Sequence, residues 1–254
     1  MISLAGKAAL VTGGSRGIGA ATVKMFAQAG ADVIFSYRRE RDAAKQVEQE
    51  AGKHGTRIES FKADSGKMPD AKRLVEFACE RLGRLDILVA NAGIWNTDEI
   101  SVEKLSEADW DEMVRVNLKG VYAVVHHAIP HMIAQRGGRI IAVSSVAGQR
   151  GTPLHAHYSA TKGGVISFVK ALSAEVARYN ILVNCVAPGF VDTDILKDSV
   201  KERSQLKSLL AQYPLNRVAR PEEVAGPILF AASDLATYIT GEVINVNGGS
   251  FRCG

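Results

Sequence analysis

Short apolar runs alternate with segments of helical period along the chain. Ala8–Val11, Asp32–Ser36, Ile58–Lys62, Asp86–Ala90, Arg139–Ser144, Ile181–Val186 and Val243–Val246 are compact and rich in Val and Ile, as strands covered on both faces should be. Between them, Ala20–Ala29 carries small and apolar residues on one face, and Glu40–His54 sets an Ala/Val stripe in a polar background. Asp70–Leu82 repeats apolar residues at Leu74, Phe77, Ala78 and Leu82, and Tyr158–Arg178 reads as a long helix with an aliphatic inner face. Such alternation requires right-handed crossovers and a parallel sheet. The pattern therefore predicts an α/β, Rossmann-like fold: a doubly wound parallel seven-stranded sheet with helices on both faces. With no linker, repeat or low-complexity segment, residues 1–254 read as a single domain. Asp192–Tyr213 follows a Pro-Gly and has mixed charge and weak periodicity; the segment at about 192–213 reads as a substrate lid, or else as a surface helix pair.

Composition narrows the class. A formal charge of +4 is far from the dense basic patches of nucleic-acid binders, so no nucleic-acid partner is expected. Cys79, Cys185 and Cys253 form no CxxC pair and no zinc pattern, which suits a reduced, cytoplasmic chain. The first residues carry no apolar leader, and no apolar run is long enough to span a bilayer, so no membrane association is expected.

The chemistry begins at Thr12-Gly13-Gly14-Ser15-Arg16-Gly17-Ile18-Gly19, between the first strand and the first helix. Gly13, Gly17 and Gly19 let the backbone turn tightly and approach a pyrophosphate, and the helix that starts there offers free N–H groups to an anion. The spacing is G-x-x-x-G-x-G, and TGGSRGIG resembles the cofactor turn of the short-chain dehydrogenases/reductases. The resemblance continues in register through Asn91-Ala92-Gly93, Asn117, Ser144-Ser145, Tyr158-Ser159-Ala160-Thr161-Lys162 and Pro188-Gly189, over essentially the full length.

A nicotinamide dinucleotide is the expected cofactor. A carboxylate at the end of the second strand would hold the ribose 2′-OH of NAD, but Tyr37 stands there, followed by Arg38 and Arg39. Arginine suits a phosphate by charge and by its forked donors, so Arg16 and Arg38 are expected to bind the 2′-phosphate of NADP(H); solvated surface arginines are the plain alternative. The resemblance further implies that Ser15 and Ile18 belong to the phosphate turn and that Asp64 bonds the adenine amino group. It likewise implies that Asn91 and Gly93 line the ribose and pyrophosphate. The Pro188-Gly189-Phe190-Val191 backbone resembles the segment that grips the nicotinamide carboxamide, and the resemblance implies that Thr193 reaches the phosphate or amide.

Reduction of a carbonyl needs a proton donor and fixed donors for the developing oxyanion. Tyr158 is the expected acid. A free phenol titrates near about 10, and a nearby ammonium is expected to lower that value. Lys162 stands one helical turn on (i, i+4), on the same face. Ser145, at the end of the fifth strand, is expected to donate to the substrate oxygen, and Asn117 resembles the family residue that holds a water beside the lysine. Ser144 is set aside because the family interval to Tyr158 selects Ser145. Trp95 and Trp110 read as packing residues. His126, His127 and His131 lack a metal-binding pattern, whereas His155 and His157, close to Tyr158, are candidates to border the substrate pocket.

Within the family, the sequence is most similar to 3-oxoacyl-[acyl-carrier-protein] reductases, through Gly138–Ile141, Asn184–Thr193 and Val246–Gly249. That implies a small-molecule carbonyl substrate borne as a thioester by an acyl carrier protein, with Arg136 and Arg178 as basic residues near the pocket mouth. Tyr179 and Asn180 depart from the usual basic residue and glycine there, which weakens the docking inference. A reductase or dehydrogenase of another ketone, sugar, polyol or quinone is the alternative, and a non-catalytic NADP-binding scaffold a further one. The resemblance also implies a homotetramer, with helices around Trp110–Gln135 and Tyr158–Arg178 at one interface and Val243–Gly254 at another.

Overall fold

The computed structural model describes residues 2–96, 98–194, 210–211 and 213–252. Its strands are β1 (Ala8–Val11), β2 (Asp32–Tyr37), β3 (Ile58–Lys62), β4 (Ile87–Ala90), β5 (Gly138–Val143), β6 (Ile181–Pro188) and β7 (Val243–Val246). They form one seven-stranded sheet in the order β3-β2-β1-β4-β5-β6-β7, and every neighbouring pair is parallel. The helices are α1 (Gly17–Gln28), α2 (Arg41–Gly52), α3 (Met68–Leu82), α4 (Glu107–Val114), α5 (Gly120–Gln135), α6 (Val146–Arg150), α7 (Ala156–Val176) and α8 (Pro221–Ala232).

Successive side chains along each strand point to opposite faces, and both faces are dry. Leu10, Leu88, Ala90, Ile140, Ala142, Val183 and Cys185 face one core, which α3, α5 and α7 close with residues such as Leu74, Val124 and Val169. Ala9, Val11, Ile87, Val89, Ile141, Val143 and Val186 face the other, closed by α1, α2 and α8 through Val23, Phe26, Val47 and Ile228. This double burial is why the strands read as continuous apolar runs rather than as alternating ones.

Three elements differ instructively from the sequence expectation. Helix α1 begins at Gly17, inside the glycine turn, because two of the residues of its first turn are glycines that read as loop. Strand β6 continues to Pro188, which its missing N–H permits at a strand end. The long helix around Trp110–Gln135 is α4 and α5 joined by a π turn at Arg115–Lys119. Such wide turns recur at functional sites, and this one holds Asn117. The proposed lid at about 192–213 lies mostly outside the described residues.

The order reverses between β1 and β4, so the crossovers leave the sheet in opposite directions and open a crevice beyond the carboxyl ends of the strands. The far wall of the crevice depends on one close approach: a Cβ at Gly148 would come within 2.5 Å of the Lys162 carbonyl carbon and 2.7 Å of the Gly163 nitrogen. Backbone on both sides cannot yield as a flexible side chain would. Gly148→Ala is therefore expected to lower stability by about 1–3 kcal/mol through overpacking, read as a drop in thermal midpoint; an unchanged midpoint would show that α6 and α7 have room to separate.

Candidate active site

The crevice has a volume of about 960 Å³ and receives the loop after each of β1 to β6. Its floor is the glycine turn. Gly13 takes φ +67°, in the left-handed region, and a Cβ on it would meet the Ala92 backbone at 3.0 Å. Thr12 joins this turn to the loop after β4: its Oγ1 accepts from the N–H groups of Asn91 and Ala92, each at 3.0 Å. The Asn91 amide donates to the carbonyls of Thr12 (3.0 Å) and Gly13 (3.2 Å), locking the turn from the other side. Gly13, Ser15, Arg16, Gly17 and Ile18 line the crevice. Gly19 does not; a Cβ there would collide with the Gly13 carbonyl, so its part is to seat α1 against the turn. The first turn of α1 contains no acidic residue and its N-cap makes no side-chain bond, which leaves its N–H groups open to an anion.

The end of the crevice beyond β2 and β3, where the sequence expects the adenosine, is lined by Tyr37, Arg38, Arg39 and Asp64. No carboxylate ends β2. Arg38 is half-exposed and pairs loosely, at 3.5 Å, with Asp64 and with Glu112, while Arg16 pairs with Asp194 at 3.4 Å. None of these pairs is tight, and exposed pairs of this kind are worth little. Burial pushes the Asp64 carboxyl up, but the Arg115 guanidinium, the Gly66 N–H and Arg38 outweigh it and hold the group below the ordinary carboxylate range.

At the other end, Asn91, Gly93, Ser145, Tyr158, Lys162, Pro188, Gly189, Val191 and Thr193 line one continuous wall. Ser145 is the N-cap of α6, where its Oγ accepts from the Ala147 N–H at 3.1 Å, and its hydroxyl is hydrogen-bonded to Tyr158. Ser144 is buried and donates to the Lys162 carbonyl at 2.8 Å, which fixes α7 against the end of β5. Lys162 is 4% exposed; its ammonium donates to the Val143 carbonyl at 2.9 Å and lies 5.7 Å from the Tyr158 ring centre. A Cβ on Gly93 would stand 3.3 Å from Lys162 Nζ and 3.2 Å from Asn117 Oδ1, so the bare glycine is what lets these groups meet.

One expectation needs correction. Tyr158 is raised to about 12, not lowered: burial dominates, and the Ser145 hydrogen bond opposes it only in part. The lysine meets the same cost, and burial pulls its ammonium down to about 8. Asn117 lies deep beneath the crevice wall and is fully buried; its amide accepts from the Ile94 N–H (2.8 Å) and donates to the Ile94 carbonyl (2.9 Å). Its side chain thus holds the loop after β4.

Sequence reading missed other lining residues. Trp95, read as packing, stacks on His155 with ring centres 4.1 Å apart and sets its edge to Tyr158 at 4.4 Å, inside the crevice. A lone tryptophan in an irregular loop gives no periodic signal. Arg150, which the sequence did not single out, lines the crevice. Arg136 and Arg178 do not: they precede β5 and β6, at the edge of the parallel sheet opposite the crevice of their own chain. His126 packs edge-on to His127 at 4.9 Å, and among the described residues no group of three or more His, Cys, Asp or Glu could hold a metal ion. No helix among them is long and apolar enough to cross a membrane.

A doubly wound parallel sheet with a glycine turn at its switch point and a tyrosine–lysine pair at the crevice defines a nucleotide-binding oxidoreductase. A family model described as Enoyl-(Acyl carrier protein) reductase matches residues 13–250. The chain is 41% identical to the 3-oxoacyl-[acyl-carrier-protein] reductase of Thermotoga maritima, over 97% of this chain and 98% of that protein. It is also 41% identical to the enzyme of the same name from Aquifex aeolicus, over 98% and 99%. Among solved structures, a short-chain dehydrogenase from Burkholderia cenocepacia J2315 in complex with NADP superposes with a TM-score of 0.90 at 32% identity, covering 97% of this chain and 98% of that one. A protein of Sinorhizobium meliloti 1021 described as a short-chain alcohol dehydrogenase gives 0.93 at 33%, covering 98% and 97%. The chain belongs to the short-chain dehydrogenase/reductase family, and it is an oxidoreductase acting on CH–OH and C=O groups.

Lys162 should act against stability in the cofactor-free protein. Its fall from 10.5 to about 8 corresponds to a penalty of roughly 3 kcal/mol on the charged form. The folded value lies below the unfolded one, so the penalty is complete below pH 8, fades between about 8 and 10.5, and is gone above. Lys162→Met is therefore expected to raise the thermal midpoint at pH 7 by an amount that shrinks toward pH 10.5. A lowered midpoint at pH 7 would mean that the Val143 bond outweighs the desolvation.

Proposed function

We propose that this protein is an NADP(H)-dependent reductase or dehydrogenase, with a 3-oxoacyl thioester on an acyl carrier protein as its leading substrate. The observation that carries the reading is the convergence of Ser145, Tyr158 and Lys162 in the crevice that the Pro188–Val191 backbone also lines. The cofactor half fits the same crevice: open N–H groups at α1, no acid at the end of β2, and Arg16 and Arg38 in loose, displaceable pairs. The complex of the Burkholderia relative with NADP supports this choice.

When bound, the nicotinamide supplies or takes up the hydride at the substrate carbon. The protein's own part is the proton and the orientation. Tyr158, raised to about 12, keeps its proton at neutral pH and donates it to the carbonyl oxygen as negative charge develops there. Ser145, already bonded to Tyr158, gives that oxygen its second donor. Lys162 holds a positive charge behind the phenol and stabilises the phenolate left by the transfer. Asn117 fixes the loop that carries Gly93 beside the lysine. In the oxidative direction the same groups act in reverse.

Similarity to the Thermotoga and Aquifex enzymes favours the acyl thioester. One observation favours the second reading, a smaller free ketone, polyol or quinone: Trp95 and His155 form an aromatic wall against Tyr158, and Arg136 and Arg178 stand away from the mouth. We read the enzyme as one cytoplasmic domain whose lid falls in about 192–213. A homotetramer is supported by the exposed Trp110 and Tyr122 near α4–α5 and by Leu235 and Tyr238 ahead of β7.

Tyr158→Phe is expected to keep NADPH affinity within about twofold while lowering turnover by about 10²–10⁴, the usual worth of a general acid. Turnover near that of the parent would remove Tyr158 from the chemistry. Initial rates with an acetoacetyl thioester and a panel of free ketones choose between substrates: the leading reading expects the thioester to give the higher kcat/KM, and inactivity on every 3-oxoacyl thioester contradicts it.

A further inference from the structure

The adenosine end of the crevice contains a closed ring of charges, and it rests on an arginine outside the crevice lining. Arg115 donates to Asp64 Oδ1 at 3.0 Å and forks onto Glu112 at 2.6 and 2.8 Å. The same two carboxylates reach Arg38 at 3.5 Å each. Four residues thus alternate in sign around one loop: Arg38 after β2, Asp64 after β3, Glu112 in α4 and Arg115 at the start of the π turn. The two arginines are not equivalent. Arg115 is 26% exposed with short, directed bonds, whereas Arg38 is 41% exposed with two long ones. A Cβ on Gly66 would collide with the Arg115 guanidinium, and the Gly66 N–H also donates to Asp64 at 3.0 Å, so the loop after β3 is shaped around this side chain.

The proposal rests on the NADP(H) reading. We infer that Arg115 is a positioning residue for the 2′-phosphate: by taking the short bonds of Asp64 and Glu112 it offsets part of their negative charge beside the phosphate site and leaves Arg38 loosely held and free to turn onto the phosphate. Without Arg115, those carboxylates would clamp Arg38 and repel the anion. Selectivity for the phosphorylated cofactor would then depend on a residue that never touches it, set against Glu112 as the competing acid. Because Arg115 also begins the turn that carries Asn117, a purely structural role would disturb every cofactor alike; a role in phosphate selection would not.

Calorimetric titration of the cofactor-free full chain with adenosine 2′,5′-bisphosphate and with 5′-AMP separates the two. The parent protein should bind the bisphosphate more tightly. Arg115→Gln should weaken the bisphosphate by about tenfold or more and AMP by less than about twofold, as expected for loss of a charge-assisted pair beside an anion. Arg115→Lys should recover part of the loss, and adding Glu112→Gln to Arg115→Gln should recover most of it, the signature of coupled sites. Glu112→Gln alone, a change at a half-exposed side chain, should tighten the bisphosphate and leave AMP unchanged, and it tests the idea even if Arg115→Gln fails to fold. Equal weakening of both ligands in Arg115→Gln, no rescue in the double variant, or no gain in Glu112→Gln would overturn the role of Arg115 while leaving the cofactor reading intact. A parent protein indifferent to the 2′-phosphate would overturn the cofactor reading and this inference together.

Discussion

A lysine ammonium held away from water is the constraint around which the crevice is arranged. Lys162 has one backbone partner, the Val143 carbonyl, and every neighbouring element is shaped to let it sit there. Gly148 brings the backbone of α6 onto its carbonyl, Ser144 ties that carbonyl to the end of β5, and Gly93 leaves space beside Nζ. Such a charge costs stability and is kept for what it does. Here it places positive charge next to a phenol that burial holds protonated. Ground-state burial raises the phenol, and the lysine becomes important when the proton leaves.

The two ends of the crevice solve opposite electrostatic problems. The end formed by Ser145, Tyr158 and Lys162 buries its phenol and its ammonium, where a charge counts heavily. The adenosine end is wet and crowded with charge, and its pairs differ mainly in length. Short bonds at Arg115 and long bonds at Arg38 divide one set of carboxylates between a fixed partner and a displaceable one. The π turn serves both, with Arg115 bonded to Asp64 and Asn117 bonded to Ile94 in the loop that carries Gly93 beside Lys162.

The sheet was legible in the sequence because double burial writes strands as unbroken apolar runs, and all seven appear within two residues of their predicted bounds. The glycine turn and the Tyr158–Lys162 spacing were legible because each demands particular residues at particular intervals. Three things were not. The start of α1 was hidden by glycines that read as loop. Trp95 and Arg115 lie in irregular or transitional backbone, where no period announces which way a side chain points. The direction of the Tyr158 shift depends on how burial balances against a charge, and that balance requires distances. Asn117 was found by resemblance, but its occupation by Ile94 could be seen only in three dimensions.

The central claim is that Ser145, Tyr158 and Lys162 surround a single reaction point beside a bound nicotinamide. A crystal structure of the protein with NADPH and a non-reactive ketone analogue tests it most directly. The account predicts the analogue's oxygen within hydrogen-bonding reach of both the Ser145 and Tyr158 hydroxyls, with its carbon about 3–3.5 Å from C4 of the pyridine ring. A pyridine ring lying elsewhere in the crevice, or an analogue oxygen that touches neither hydroxyl, would contradict it.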